Sequence, residues 1–229
     1  LFTASSVLQI TEKEADLGRR GIFRELPGLS FREYLNWHHG QNIESIDLAS
    51  MLHAHVEVAS NLSSQFKPLV HFKTYLEQGY YPFQFENPIT YLEKLRENVR
   101  ITIESDIRTY MTISADTINL LLKLTAILAD SVPFTPNVSK LAERMGTTRN
   151  TVVNLLEYLE KGRIIHRLFK DSAGIGRMQK PDKIYLDNPN LMHALSWNQA
   201  NAGALRETFL VSQLRPNHKI RLGKSADFM

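Results

Sequence analysis

The spacing of apolar residues along the chain predicts a mostly helical protein. Residues 42–79 indicate two or three helices, with one apolar face at Leu48, Leu52, Val56 and Ala59 and another at Leu69, Phe72 and Leu76. The clearest helix is predicted over 88–111, where the apolar residues at helical spacing are Leu92, Leu95, Val99, Ile103 and Ile107. Another short helix follows Ser30, because Ser30 and Glu33 form the pattern of a capping box.

Residues 114–186 follow the pattern of a winged helix-turn-helix. Ser114 is typical of a residue that begins a helix, and a second short helix is predicted to end at Gly146. A third helix is predicted from about Arg149 to Lys161, after Thr147 and Thr148, either of which can cap it. The apolar segments 163–169 and 183–186 then predict a two-stranded hairpin. Three helices followed by a hairpin is the element order of this fold.

Composition narrows the function classes without selecting one. The chain has 43% hydrophobic and 22% charged residues, values that are typical of a globular protein. The apolar runs are too short for a membrane span, and the absence of cysteine excludes disulfides and thiolate metal sites and is consistent with the cytoplasm. The net charge of +3 is too small to indicate nucleic-acid binding by itself. Such binding has to be judged from the local distribution of charge.

The third helix of the predicted winged helix carries the candidate DNA-contacting residues. Residues early in such a helix reach base edges, and here they are Arg149, Asn150, Thr151 and Asn154. Between residues 161 and 183 there are seven basic and two acidic residues, and this predicted basic wing includes Arg177 and Lys180. Glu157 and Glu160 on the same helix disfavour DNA binding, since a carboxylate repels phosphate. A protein-docking or scaffold role for this domain therefore stays open.

Several separate segments resemble a family of prokaryotic AAA-type ATPases that carry a winged helix and a C-terminal restriction-endonuclease-like domain of unknown role. These segments are residues 1–6, 16–20, 25–35, 136–142, 172–184, 201–209 and 226–228. The resemblance implies four parts, which are the end of the ATPase core (1–40), a helical lid (41–112), the winged helix-turn-helix (113–187) and part of the nuclease-like α/β domain (188–229). The expected fold class is therefore mostly α with α/β parts.

The resemblance also implies that this chain is a piece of a longer protein. No G-x-x-x-x-G-K-[ST] phosphate-binding loop occurs in these residues, so the loop and the acidic magnesium motif are expected before Leu1. ATP and Mg²⁺ are then cofactors of the parent protein, and we expect neither to bind tightly to this chain alone.

Candidate catalytic residues follow from the same resemblance. Ser5 and Ser6 match the family's sensor position, where a small hydroxyl orients the water that attacks the terminal phosphate. Arg19 and Arg20 match an arginine that stabilises the transition-state charge. An arginine that acts on a neighbouring protomer's nucleotide would require a homo-oligomer.

Two further groups of residues raise the question of metal binding. Glu207 on a predicted helix (205–214) and Asp227 on a predicted strand match the acidic ligands of the nuclease-like family. The spacing of His38 and His39, and of His53 and His55, is poor for a shared ion, so these histidines are expected to be structural or exposed.

The leading prediction is an ATP-driven protein whose hydrolysis step moves the lid and the winged helix. A winged-helix regulator, or a protein-interaction scaffold without ATPase activity, is the alternative. A third hypothesis is a toxin-like or defence nuclease that the ATPase controls.

Overall fold

The computed structural model describes residues 26–131, 133, 135–170, 181–196 and 201–223. These residues divide into two compact units. One comprises residues 27–91, and the other contains the described residues from Leu92 onward.

The unit of residues 27–91 contains three helices, α1 (Phe31–His38), α2 (Leu48–Gln65) and α3 (Pro68–Gln78), followed by a 3₁₀ turn (Pro82–Phe85). Helices α1 and α3 pack against each other. The core of the unit is aromatic and aliphatic, with the buried residues Tyr34, Leu35, Tyr75, Leu76 and Tyr80. This core fixes the orientation of α1 and of the segment that leads into it.

The start of α1 confirms the predicted capping box. Ser30 Oγ accepts a hydrogen bond from the Glu33 N–H at 3.2 Å, and the Ser30 N–H donates to Glu33 Oε2 at 2.8 Å. Just before it, the Leu29 N–H donates to the Tyr80 carbonyl oxygen at 2.7 Å, and the Tyr75 hydroxyl donates to the Leu29 carbonyl at 2.7 Å. A glycine is needed at position 28, because a Cβ there would lie 2.3 Å from the Tyr80 ring.

Helix α2 differs from the packed helix that its pattern indicates. Asp47 caps it, and the helix kinks at Ala54, but none of its residues is buried among the described residues. The predicted face is exposed, with Leu52 at 69% and Val56 at 70% of their full accessibility. The spacing correctly predicts that these apolar residues share one face of the helix, but spacing alone does not show whether that face is buried.

The second unit starts with an interrupted helix. The predicted helix 88–111 appears as α4 (Tyr91–Ile101), a π-helical turn (Thr102–Ile107) and α5 (Arg108–Met111), and it ends at Thr112, whose φ is 50°. Ile103 and Ile107 in the π turn are fully buried. The turn packs closely on the end of a later helix, since a Cβ at Gly162 would lie 3.0 Å from Ile107 Cδ1.

Three helices and an antiparallel hairpin follow, in the element order that the sequence predicts. They are α6 (Ala115–Ala129), α7 (Val138–Met145), α8 (Arg149–Lys161), β1 (Ile165–Leu168) and β2 (Lys183–Leu186). In the hairpin Ile165 pairs with Leu186 and Leu168 with Lys183. The first strand is shorter than predicted, because Arg163 has a φ of 58°, outside the extended region. The prediction of a mostly helical protein with a small sheet is confirmed.

Two more helices, α9 (Pro189–Leu195) and α10 (Ala202–Leu214), pack around the hairpin. Arg96 Nε donates to the Ala194 carbonyl at 2.9 Å, which ties α4 to α9. Tyr185 and Leu168 of the hairpin and Val211 of α10 form a small core, which Ile220 and Leu222 extend. The expectation of a partial nuclease-like domain over 188–229 stays a prediction.

Candidate nucleic-acid interface

The connection between α7 and α8 is a tight turn whose residues suit it. Asn137 caps α7, and Gly146 ends it with a φ of 67°, a left-handed conformation that favours glycine. The Thr148 side chain then accepts a hydrogen bond from the Thr151 N–H at 3.2 Å and begins α8. Thr148, one of the two candidate caps, is therefore the one that is used.

Helix α8 separates an apolar face from a polar one. Val152, Leu155, Leu156 and Leu159 are fully buried, and their burial fixes the rotation of the helix about its axis. Arg149, Asn150 and Asn154 are exposed in consequence. Three of the four predicted DNA-contacting residues of this helix are thus accessible to a ligand.

The fourth candidate, Thr151, is less available. Thr151 is half-buried, and its hydroxyl forms a hydrogen bond with the Thr148 hydroxyl at 2.9 Å. Its side chain therefore serves the capping turn of α8.

Both carboxylates of α8 are held by cations. Glu157 Oε1 lies 2.8 Å from Lys161 Nζ, and this hydrogen bond keeps the pKa of Glu157 below its usual value. Glu160 Oε2 lies 2.6 Å from Arg167 Nη2, and the Arg167 N–H also donates to Glu160 Oε1 at 2.9 Å. The repulsion of phosphate that these two carboxylates would exert is largely offset within the protein.

The same ion pairs reduce the charge available in the predicted basic wing. Arg167 is committed to Glu160, and its side chain is only 10% exposed. Lys183 Nζ lies 2.7 Å from Glu207 Oε2. Lys170 is exposed. Arg177 and Lys180 lie outside the described residues.

Helices α6 and α7 add cations that sequence reasoning missed. Lys140 and Arg144 lie four residues apart on α7 and are both exposed, and Lys123 Nζ of α6 donates to the Arg144 carbonyl at 3.3 Å. Their i, i+4 spacing on the polar face of α7 is the signal that could have identified them. In a helix-turn-helix the helix before the recognition helix crosses the DNA backbone.

Glu207, the described candidate for a metal ligand, contacts the hairpin. The Tyr185 hydroxyl donates to Glu207 Oε2 at 2.9 Å, and the same oxygen accepts the Lys183 ammonium. Among the described residues no three histidine or acidic side chains are placed to hold a metal ion. Asp227 lies outside the described residues, so the predicted metal site stays a prediction.

The candidate catalytic residues Ser5, Ser6, Arg19 and Arg20 also lie outside the described residues. Their predicted roles at an ATP site therefore stay predictions.

A buried charged cluster joins three parts of the second unit. Asp187, directly after β2, has its Oδ1 3.0 Å from His166 Nε2 on β1 and 3.1 Å from Arg215 Nη1, which follows α10. The Arg215 guanidinium also contacts the His166 ring. No short-range signal predicts this cluster, because its members are 21 to 49 residues apart in the sequence.

Three histidines meet in the other unit. The ring centroids of His39 and His71 are 3.7 Å apart, and those of His38 and His39 are 4.7 Å apart. The sequence drew attention to His38 and His39 but not to His71, which lies on another helix.

In the described residues, α8 exposes Arg149, Asn150 and Asn154, and α7 exposes Lys140 and Arg144. A family model described as "Domain of unknown function (DUF8612)" matches residues 69–202, more than half of the chain. The chain therefore belongs to this family. The match includes α6 to α9 and the hairpin.

The chain is also similar to "Uncharacterized protein MJ1637" of Methanocaldococcus jannaschii, at 24% identity over 188 residues. The match covers 80% of this chain and 40% of the relative, so the chain spans about two fifths of that protein's length. No solved structure matches the chain. In the part that the structure describes, no helix combines the length and apolar character required to cross a bilayer.

Proposed function

We propose that residues 113–187 form a winged helix-turn-helix that binds duplex DNA through the first turns of α8. The parent protein would be an AAA-type ATPase, with ATP and Mg²⁺ bound by residues before Leu1. Hydrolysis would move this DNA-binding module and the nuclease-like part that follows it.

The observation that carries the DNA proposal is the polar face of α8. Arg149, Asn150 and Asn154 are all exposed in the first turns of the helix, and burial of Val152 and Leu155 fixes its rotation so that they face outward. Arginine suits guanine and asparagine suits adenine in the major groove, where an α-helix fits. A surface with these residues at the start of such a helix is suited to reading base edges.

Backbone contacts would come from α7. Lys140 and Arg144 are exposed on the helix that precedes α8, where cations hold phosphates and set the register of the protein on the duplex. Because Lys161 and Arg167 already offset Glu157 and Glu160, no carboxylate of α8 opposes the approach of phosphate without a cation beside it.

A protein-docking role is the second candidate, and the pairing of the wing cations favours it. Arg167 and Lys183 are engaged by Glu160 and Glu207, which leaves less of the predicted positive charge for phosphate. The DNA experiment below separates the two candidates.

The ATP-dependent part of the proposal is supported by the resemblance of residues 1–35 to the ATPase family. Ser5 or Ser6 would orient the attacking water, and Arg19 or Arg20 would stabilise the transition-state charge, in trans if the protein is a homo-oligomer.

Replacing Arg149 and Asn154 together with alanine is expected to weaken duplex binding by at least about 30-fold, since each base contact contributes about 1–3 kcal/mol. Fluorescence anisotropy with a labelled random-sequence pool, followed by a selected duplex, measures the loss.

The matched control is Arg108→Ala with Thr109→Ala, which removes the same kinds of groups from exposed positions on α5. Its affinity should stay within about twofold of the unsubstituted chain, as expected for a surface change away from the interface. Absence of duplex binding, or equal affinity in both double variants, would contradict DNA contact through α8 and would favour the protein-docking candidate.

A further inference from the structure

The ring cluster of His38, His39 and His71 lies between two helices of the unit of residues 27–91. His38 and His39 end α1, and His71 lies in α3. The rings of His39 and His71 are tilted by 39° and are in contact at a centroid distance of 3.7 Å. Tyr34 packs against both His38 and His39, at 5.3 and 5.6 Å.

His39 is placed where a positive charge is poorly accommodated. Its Nε2 is buried and has no hydrogen-bond partner. Burial, followed by the charges of His71 and His38, lowers the pKa of His39 below its ordinary value. Its backbone carbonyl accepts the Gln41 side-chain N–H at 3.2 Å.

The carboxylates on the helices that surround the cluster are occupied elsewhere. On α1, Glu33 bonds to Ser30, and on α3, Glu77 lies 3.9 Å from Lys73. Of the ionisable groups in this unit, the ones that act on the pKa of His39 are His71 and His38. The remaining ionisable groups of residues 27–91 are Arg32, Tyr34, Glu44, Asp47, His53, His55, Glu57, Lys67, Tyr75, Tyr80, Tyr81, Glu86 and Tyr91.

The cluster is not arranged as a metal site. The His39 and His71 rings are tilted by 39° and those of His38 and His39 by 82°, and in both pairs the rings are in contact with each other. Metal ligands instead point their ring nitrogens at one shared ion. None of the groups of histidine or acidic residues in the described ranges is placed to hold a metal.

We propose that the contact between His39 and His71 is an acid-sensitive latch, which holds α1 against α3 at neutral pH and loosens them as the pH falls. A second proton would place two cations within ring contact in a partly buried site. Opening of the helices relieves this repulsion by exposing both rings to water.

The direction of the pH dependence follows from the linkage between proton binding and folding. The pKa of His39 is lower in the folded chain than its ordinary value of 6.5, so below about pH 6.5 the unfolded chain binds more protons. The stability of this unit is therefore fully present above pH 6.5 and declines as the pH falls from there through the folded-state pKa.

The test uses Trp37, which lies in the last turn of α1 and packs on Phe85 with the ring centroids 4.9 Å apart. Trp197→Phe removes the other tryptophan, so fluorescence reports α1. In urea titrations followed by Trp37 fluorescence, the urea concentration at the unfolding midpoint should be lower at pH 5.5 than at pH 7.5. His39→Phe, which keeps an aromatic ring and loses no hydrogen bond at Nε2, should abolish most of that fall.

His55→Gln is the matched control, because His55 is an exposed histidine of α2 in the same unit. It should leave the fall in midpoint unchanged. A fall of equal size in His39→Phe, or none in the unsubstituted chain, would overturn the proposal.

A second measurement decides the matter if His39→Phe does not fold. In an NMR titration of the unsubstituted chain, His39 should titrate below pH 6.5, and His71→Phe should move its titration upward because a positive neighbour is removed. Titration of His39 at or above 6.5 in the unsubstituted chain would refute the latch.

Discussion

Asp187→Ala is expected to destabilise the unit that begins at Leu92 by about 3–5 kcal/mol, the cost of removing one partner from a buried charged pair. The Asp187 side chain is 7% exposed and that of His166 is 5% exposed, so the carboxylate is lost from a site with little contact to bulk water. The Arg215 guanidinium would lose its contact with this carboxylate at 3.1 Å. Urea unfolding followed by far-UV circular dichroism measures the change.

Glu143→Ala is the control for this prediction, because Glu143 is an exposed acid on α7. Its cost should stay within about 0.5 kcal/mol. If Asp187→Ala cost no more than Glu143→Ala, the cluster of His166, Asp187 and Arg215 would not be closed in solution.

Leu155→Ala is expected to cost about 2–5 kcal/mol, the range for truncating a fully buried leucine. Leu155 is 0% exposed, on the face of α8 that packs into the helical core. The loss combines reduced apolar burial with the cavity that remains. Thermal and urea unfolding of the purified variant measure it.

The neighbouring position provides the comparison. Asn154 directly precedes Leu155 in the helix and is exposed, so Asn154→Ala should change stability by less than about 0.5 kcal/mol. Similar losses at the two positions would mean that α8 is rotated about its axis, and the proposed DNA-contacting face would no longer be outward.

Features set by neighbouring residues were predictable from the sequence. The capping box at Ser30 and Glu33, the end of α7 at Gly146 and the bounds of α8 all depend on interactions within a few residues. The strand Lys183–Leu186 was also predicted with its observed bounds.

Features that depend on distant partners were not predictable. The π turn at Thr102–Ile107 packs against Gly162, which is more than 50 residues away in the sequence. A helical pattern also cannot show that His71 meets His39, since the two rings come from separate helices.

The candidate DNA interface was predictable only in part, for the same reason. The turn and the exposed start of α8 follow from local pattern. The pairing of Glu160 with Arg167 and of Lys183 with Glu207 depends on how the hairpin packs against α8 and α10, so a count of basic residues overestimates the free charge of the wing.

Binding of duplex DNA by α7 and α8 should depend on salt, because lysine and arginine side chains on phosphates release counterions from the DNA. With Lys140 and Arg144 on phosphates, log affinity should fall with log salt at a slope of about −2. Lys140→Ala should make the slope shallower by about 1, whereas Arg108→Ala should leave it unchanged. Absence of duplex binding at low salt would contradict DNA binding by α7 and α8. An identical slope in the unsubstituted chain and both variants would contradict it as well.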